Sequence, residues 1–174
     1  MQGLAFWLFL TIMKKLMWSA ALLLSVGLWS CSGSGNHQDY TLNDVSFTVA
    51  GPVFEGSETA QFEVQLDEAL LGHVNAATLK SVHIHSEDSA GLSSLGSVAF
   101  SMVGNEADMT GMAVLNPVPA GSNEADLKVS TEADASVYFK EGKFFLVMEL
   151  GINQDLDQDV AFKGDFVFDL EIKK

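Results

Sequence analysis

Cysteine, arginine and tryptophan are scarce or missing in this chain, and each shortage excludes a class of site. The 174 residues contain one cysteine, Cys31, no arginine, and no tryptophan after Trp29. A single cysteine cannot form an internal disulfide, and if it is modified the folded part has no thiol nucleophile or thiolate ligand. Without arginine the usual bidentate clamp for phosphate is missing. A sugar site would have to rest on Tyr40 or Tyr138 instead of tryptophan.

Negative charge dominates the chain after Cys31. All 23 acidic residues follow that cysteine, whereas two of the nine lysines precede it, so residues 31–174 carry seven lysines and a formal charge of −16. A field of this sign repels nucleic acids and anionic lipids. We therefore expect no nucleic-acid partner, and we expect cations or cationic proteins to be favoured.

The segment from Met13 to Cys31 has the order of a secretory signal. Lys14-Lys15 is followed by an apolar run over residues 16–27, and then by a serine directly before the cysteine. With cysteine at the cleavage point, the segment resembles the lipobox of bacterial lipoproteins. The resemblance implies lipidation of the Cys31 thiol, cleavage after Ser30, and a protein held at a membrane by its acyl chains.

This leader predicts the organisation of the whole chain. Residues 1–30 are the signal peptide, with residues 1–12 an upstream extension or a lengthened n-region. Residues 31–40 are the lipidated cysteine and a flexible Gly/Ser tether, and residues 41–174 are the folded domain. The alternative is an uncleaved membrane anchor, but the two lysines divide the apolar stretch into runs shorter than the roughly 20 residues a span needs. We expect a location in the cell envelope, at the outer membrane.

Apolar residues alternate with polar ones over most of the domain, which predicts an all-β fold. About eight half-buried strands are expected, near 44–50, 59–67, 80–86, 96–103, 110–115, 125–130, 143–151 and 160–172. The run over 144–150 is apolar enough for a central strand covered on both faces. Helical spacing over 67–79 predicts a short bridging helix, and a second helical turn is expected near 133–139. This order resembles small envelope lipoproteins with immunoglobulin-like antiparallel β-sandwiches, a likeness that carries no activity.

Two histidines could bind a borderline metal. His83 and His85 lie two positions apart on a predicted strand, so their imidazoles share one face, and His73, Glu87 and Asp88 are close in sequence. This set could hold zinc, nickel or copper. The alternative is that both histidines are ordinary solvent-facing residues, since Val82 and Ile84 form the core face.

Oxygen and sulfur ligands suggest two further metal hypotheses. Asp155, Asp157 and Asp159 alternate in a loop as calcium ligands do, although the loop lacks the glycine and the closing glutamate of a calcium hand. An acidic hairpin loop is the simpler explanation. Met109 and Met112 could bind reduced copper, whereas Met102 and Met148 are expected in the core.

No catalytic motif accompanies these features, because no Gly-x-Ser-x-Gly stands between a strand and a helix. We therefore expect a non-enzymatic, lipid-anchored binding or structural module with an unidentified envelope partner. The alternatives are a carrier of an apolar ligand such as lipid between the sheets, and divalent-metal binding through His83 and His85 or through the loop of Asp155 to Asp159. No cofactor is expected apart from calcium or zinc in that last case.

Overall fold

Nine strands and one short helix succeed one another within residues 36–86 and 92–173, the part of the chain that the computed structural model describes. The strands are β1 Asn36–Val49, β2 Gly56–Gln65, β3 Val74–His85, β4 Leu95–Gly104, β5 Thr110–Leu115, β6 Glu124–Asp126, β7 Lys128–Val129, β8 Lys143–Ile152 and β9 Val160–Ile172. Helix α1 covers Ser136–Glu141, and a 3₁₀ turn at Leu92–Ser94 precedes β4.

The strands form two antiparallel sheets. One has four strands in the order β1-β9-β3-β6, and the other has five in the order β2-β8-β4-β5-β7. Each pair of neighbours runs antiparallel. Alternating side chains on each strand turn apolar residues toward the opposite sheet. The predicted all-β antiparallel sandwich is confirmed.

An aromatic layer fills the space between the sheets. The ring of Phe100 on β4 lies 5.2 Å from the ring of Phe47 on β1 and 4.9 Å from that of Phe166 on β9, both edge to face. All three side chains are 1% exposed. Edge-to-face pairs contribute about 0.5–1.5 kcal/mol beyond the burial of their surface. These contacts join the two sheets near the middle of the sandwich.

The helix predicted over 67–79 is wrong. Residues Glu68–His73 form turns, with bonds from the amide of Leu70 to the carbonyl of Asp67 and from His73 to Leu70, and β3 begins at Val74. Two bulges in β3 shift its register, between Val74 and Ala76 and between Leu79 and Ser81. The buried positions of β3 are therefore spaced by three and two residues in turn, which imitates helical spacing. The second predicted helical turn is confirmed as α1.

The predicted strand over 125–130 is two strands. Its first part, β6, pairs with β3 in the four-stranded sheet, and its second part, β7, pairs with β5 in the five-stranded sheet. Leu127 lies between them, 5% exposed, and donates its amide to the carbonyl of Val82. Period-two alternation continues through this crossover, so the pattern could not reveal the change of sheet.

Strand β1 begins earlier than expected. Asn36, His37 and Gln38, which the sequence assigned to the flexible tether, pair with Ile172, Glu171 and Leu170 of β9. Their exposed, polar side chains carry no hydrophobic alternation, whereas strand pairing uses backbone groups only. Within residues 36–86 and 92–173, no helix has the length and apolar character needed to cross a bilayer.

Strand β8 lies between β2 and β4, as expected for a central strand, but it is not covered on both faces. Phe144, Leu146 and Met148 are buried toward the core, and Val147 on the outer face is 8% exposed. Glu149, however, is exposed on that outer face. Its direct neighbours in register are Thr59 and Ala99, whose short side chains leave it exposed.

Candidate functional site: a groove on the five-stranded sheet

The predicted lipidation residue Cys31 lies outside the described residues, as do Glu87 and Asp88. Both candidate histidines are described. They lie on β3, on the outer face of the four-stranded sheet, with ring centroids 6.1 Å apart, and both are half-buried. The shared face that the sequence predicted is therefore present.

Carboxylates surround His83 and His85 without converging on one point. Nδ1 of His83 lies 2.9 Å from Asp126, whereas its Nε2 lies 3.8 Å from Glu124, so the two carboxylates meet opposite sides of one ring. Nε2 of His85 lies 3.6 Å from Asp44. Among the described residues, no three His, Cys, Asp or Glu side chains are grouped so that they could hold a metal ion. The zinc hypothesis stays a prediction.

Two of the three loop aspartates bind the loop that faces them. Oδ1 of Asp155 accepts the amide of Glu55 at 3.0 Å, and Oδ1 of Asp159 accepts the amide of Gly51 at 2.8 Å. Asp157 is exposed. The first two carboxylates thus fasten the β1–β2 loop to the β8–β9 loop, and calcium binding here stays a prediction.

The four methionines differ in exposure. Met102, Met112 and Met148 are buried in the core, at most 1% exposed, whereas Met109 in the β4–β5 loop is 59% exposed. The expected core positions of Met102 and Met148 are confirmed. Met109 and Met112 thus differ in exposure, and copper binding by this pair stays a prediction.

A row of side chains crosses the outer face of the five-stranded sheet, which the sequence analysis did not identify. Register pairs Thr59 with Glu149, Glu149 with Ala99, Ala99 with Val114, and Val114 with Lys128. Directly paired residues point to the same face of an antiparallel sheet. The row therefore runs over all five strands, with its shortest side chain in the middle.

Two open hollows lie along this row. One has a volume of about 440 Å³ and is lined by residues of β4, β5, β7 and β8, including Ser101, which is 8% exposed. The other has a volume of about 310 Å³ and extends toward β2. Ala99, Val114 and Glu149 line both, so the two hollows form one groove. We call it the sheet groove.

The groove exists because outward positions of neighbouring strands carry small residues. Ser57 on β2, Gly151 on β8 and Ser97 on β4 lie side by side in the next row. Serine, alanine and glycine at outward positions, where Lys, Glu or Thr would be ordinary, are a signal visible in the sequence. Strand order is also needed to see that these positions are adjacent.

The lining of the groove combines apolar side chains with hydroxyl groups and contains few ionisable groups. Hydroxyl groups come from Ser57, Thr59, Ser97, Ser101 and Ser130. The ionisable side chains of the lining are two glutamates and one lysine, and its apolar members include no aromatic ring. Such a surface suits hydrogen bonding to an extended ligand more than acid–base catalysis, which needs matched groups in reach of one another.

Comparison with known proteins adds a likeness of fold only. No protein-family model matches the chain, and no curated protein matches it. Similar solved structures include the VP2 subviral particle of infectious bursal disease virus, with TM-score 0.46 and 11% identity over 81% of this chain and 34% of that one. AlgX of Pseudomonas aeruginosa gives 0.35 and 10% over 72% and 26%. A carbohydrate-binding module of the β-sandwich superfamily gives 0.31 and 10% over 81% and 58%. The chain thus spans about a third of the viral protein it matches.

Proposed function

We propose that this chain is a lipid-anchored protein of the bacterial cell envelope that acts as a non-enzymatic binding module, with the sheet groove as its ligand site. The observation that carries the binding role is the row from Thr59 to Lys128, because its short middle residues leave a groove on the outer face of the five-stranded sheet. The volumes of its two hollows fall in the range of ligand-binding clefts in proteins. The partner is a component of the envelope, reached from the outer membrane.

The anchor is supported by the sequence from Lys14 to Cys31. An apolar leader that ends in a serine followed by the only cysteine suits lipidation at Cys31. The short stretch between Cys31 and the start of β1 at Asn36 would keep the domain close to the membrane. Such a position favours partners that are themselves part of the envelope.

Packing of the core argues against the alternative of a lipid carrier. The rings of Phe47, Phe100 and Phe166 contact one another across the two sheets, in the layer where an apolar ligand would have to lie. Opening that layer would break edge-to-face contacts and expose buried apolar surface. Binding of a ligand in the sheet groove, in contrast, requires no rearrangement of the core.

The anchor is tested on the full chain expressed in a bacterial host. We expect mass spectrometry to show a diacylated and N-acylated Cys31 at the new N-terminus, and Cys31→Ser to leave the membrane fraction. A chain that keeps its leader, or a variant that still sediments with membranes, would overturn the anchoring proposal.

The groove is tested with a pair of bulky substitutions. Ala99→Trp fills the floor shared by both hollows, and Val167→Trp adds the same bulk to the outer face of the other sheet, between Thr41 and Ser81. Proteins that co-purify from solubilised envelopes with the wild type should remain with Val167→Trp and be lost with Ala99→Trp. Equal recovery with both folded variants would remove the groove as the binding site.

A further inference from the structure

We infer that the sheet groove binds a short zwitterionic peptide lying across the strands, with its ammonium group at Glu149 and its carboxylate at Lys128. This inference rests on the proposed binding role of the groove and names the ligand class. It follows from the position of two opposite charges in one row, from the distance between them, and from the surface that separates them.

Lys128 and Glu149 have no charged partner in the described part of the chain. Three other lysines do have one: Lys80 lies 2.8 Å from Asp39, Lys143 lies 2.7 Å from Glu63, and Lys163 lies 3.7 Å from Asp44. In a domain with a large excess of carboxylates, an unpaired lysine beside a groove leaves a site for a carboxylate that comes from outside. Glu149 lies in the same row and is exposed, so its carboxylate can receive the opposite, cationic end of the same ligand.

The distance between the two charges sets the length of the ligand. Strands β8, β4, β5 and β7 are consecutive neighbours, so Glu149 and Lys128 are three strand spacings apart in one row. At about 4.8 Å per spacing this is about 14 Å between backbones. An extended peptide advances about 3.3–3.6 Å per residue, so four residues match it. A dipeptide spans only about half of this distance.

The surface between the charges fits a peptide with small side chains. Ala99 and Val114 form the floor between Glu149 and Lys128 and offer only methyl groups. The rims carry the hydroxyl groups of Ser97, Ser101 and Ser130, which can donate to carbonyls and accept from amides. One lysine without an arginine suits a single carboxylate better than a phosphate, and the lack of an aromatic ring removes a stacking surface for a sugar or a base.

The experiment uses the lipidated full chain in detergent micelles and tetraalanine as the probe. Calorimetric titration should show one binding site for tetraalanine. N-acetyl-tetraalanine amide, which lacks both charges, and dialanine, which spans half the distance, should each bind at least tenfold more weakly. Raising the salt concentration from 50 to 500 mM should weaken tetraalanine binding severalfold, because exposed ion pairs are screened.

Charge reversal provides the decisive variants. Glu149→Lys and Lys128→Glu should each weaken tetraalanine binding at least tenfold, and the double variant should recover it to within about threefold, since the peptide can bind in the opposite direction. Lys80→Gln on the other sheet is the matched control and should bind as the wild type does. Equal binding of the blocked and free peptides, or no recovery in the double variant, would overturn the inference.

Failure of this inference is distinguishable from failure of the proposed function. If tetraalanine does not bind while Ala99→Trp still loses envelope partners that Val167→Trp retains, the groove is a binding site for a different chemistry, and the zwitterionic peptide is wrong. If tetraalanine does not bind and both tryptophan variants retain the same partners, both proposals fail.

Discussion

The carboxylate of Asp159 accepts a hydrogen bond from the backbone amide of Gly51 at 2.8 Å, although 108 residues separate the two. Gly51 lies where the chain passes from β1 in one sheet to β2 in the other, and Asp159 lies where it passes from β8 back to β9. The contact therefore ties together two crossings between the sheets. Nearby, Val53 and Leu156 exchange backbone hydrogen bonds at 2.8 Å in both directions.

Asp159→Ala should lower the free energy of unfolding by about 1 kcal/mol, because it removes a charge-assisted hydrogen bond at the surface. Asp155→Ala should have a similar effect, since Asp155 holds the amide of Glu55. Asp157→Ala is the control and should change stability by less than about 0.5 kcal/mol. Urea denaturation of the three variants measures these differences. Equal effects at all three positions would contradict the assignment.

Glu141→Gln should loosen the β4–β5 loop. The Glu141 carboxylate at the end of α1 accepts the amides of Asn105 and Ala107, the latter at 2.9 Å. The side-chain NH₂ group of a glutamine would face one of these backbone N–H groups, and two donors cannot form a hydrogen bond. We therefore expect the free energy of unfolding to fall by about 1–2 kcal/mol. Glu132→Gln, at an exposed position, should leave stability unchanged. Thermal unfolding compares the two, and equal Tm values would contradict a role for Glu141.

Phe100→Ala should be among the most destabilising substitutions, by about 3–5 kcal/mol, because it leaves a cavity between Phe47 and Phe166 in the layer that joins the sheets. Phe54→Ala is the matched control. The Phe54 side chain is 73% exposed in the β1–β2 loop, so its removal should cost less than about 0.5 kcal/mol. Denaturant titration would disprove this account of the core if the two losses were similar.

Stability at alkaline pH should depend on Tyr40. Burial, and secondarily the charge of Asp67, raises the pKa of the Tyr40 phenol above its ordinary value of 10.0. The folded state thus holds the phenol proton more tightly, and this contribution is fully present below pH 10 and is lost as the pH rises through the raised value. As the pH rises through this range, the free energy of unfolding should fall less for Tyr40→Phe than for the wild type. Phenolate absorbance measures the titration of Tyr40. If the free energy of unfolding fell equally with pH in the wild type and in Tyr40→Phe, the prediction would be contradicted.

Metal ions should leave the Tm unchanged. The carboxylates near His83 face opposite ring nitrogens, and Asp155 and Asp159 each already give one oxygen to a backbone amide. We therefore expect no shift with micromolar zinc or millimolar calcium. A rise in Tm that disappears in a His83→Gln, His85→Gln double variant would establish the zinc hypothesis instead, because only a ligand that binds the folded state raises Tm.

Most of the strands could be predicted because burial of one face of a strand repeats every two residues. Phe166, Phe168 and Leu170 on β9 alternate with half-buried or exposed residues, and the predicted bounds 160–172 agree with the structure. Bulges caused the main error. The bulge between Val74 and Ala76 set the spacing of Val74 and Ala77 to three residues, and local sequence does not distinguish a bulged strand from a short helix there.

The sheet groove could not be found along the chain, because its members come from β2, β8, β4, β5 and β7. Ala99 and Glu149 are 50 residues apart in sequence and directly opposite in register. The sequence of each strand shows which of its outward positions carry alanine, serine or glycine. Which of them are neighbours depends on strand order, which follows from the packing of the whole domain.

By itself the amino-acid sequence determined the class of fold, the sign of the formal charge and the apolar run over residues 16–27 that precedes the single cysteine, since these depend on composition and on patterns between near neighbours. Tertiary structure alone decided that Glu149 and Lys128 share a row, that residues 124–129 divide between the sheets, and that Asp155 and Asp159 hold a distant loop. Each of these is a contact between distant segments, and its partners are selected by the simultaneous burial of both sheets against one core.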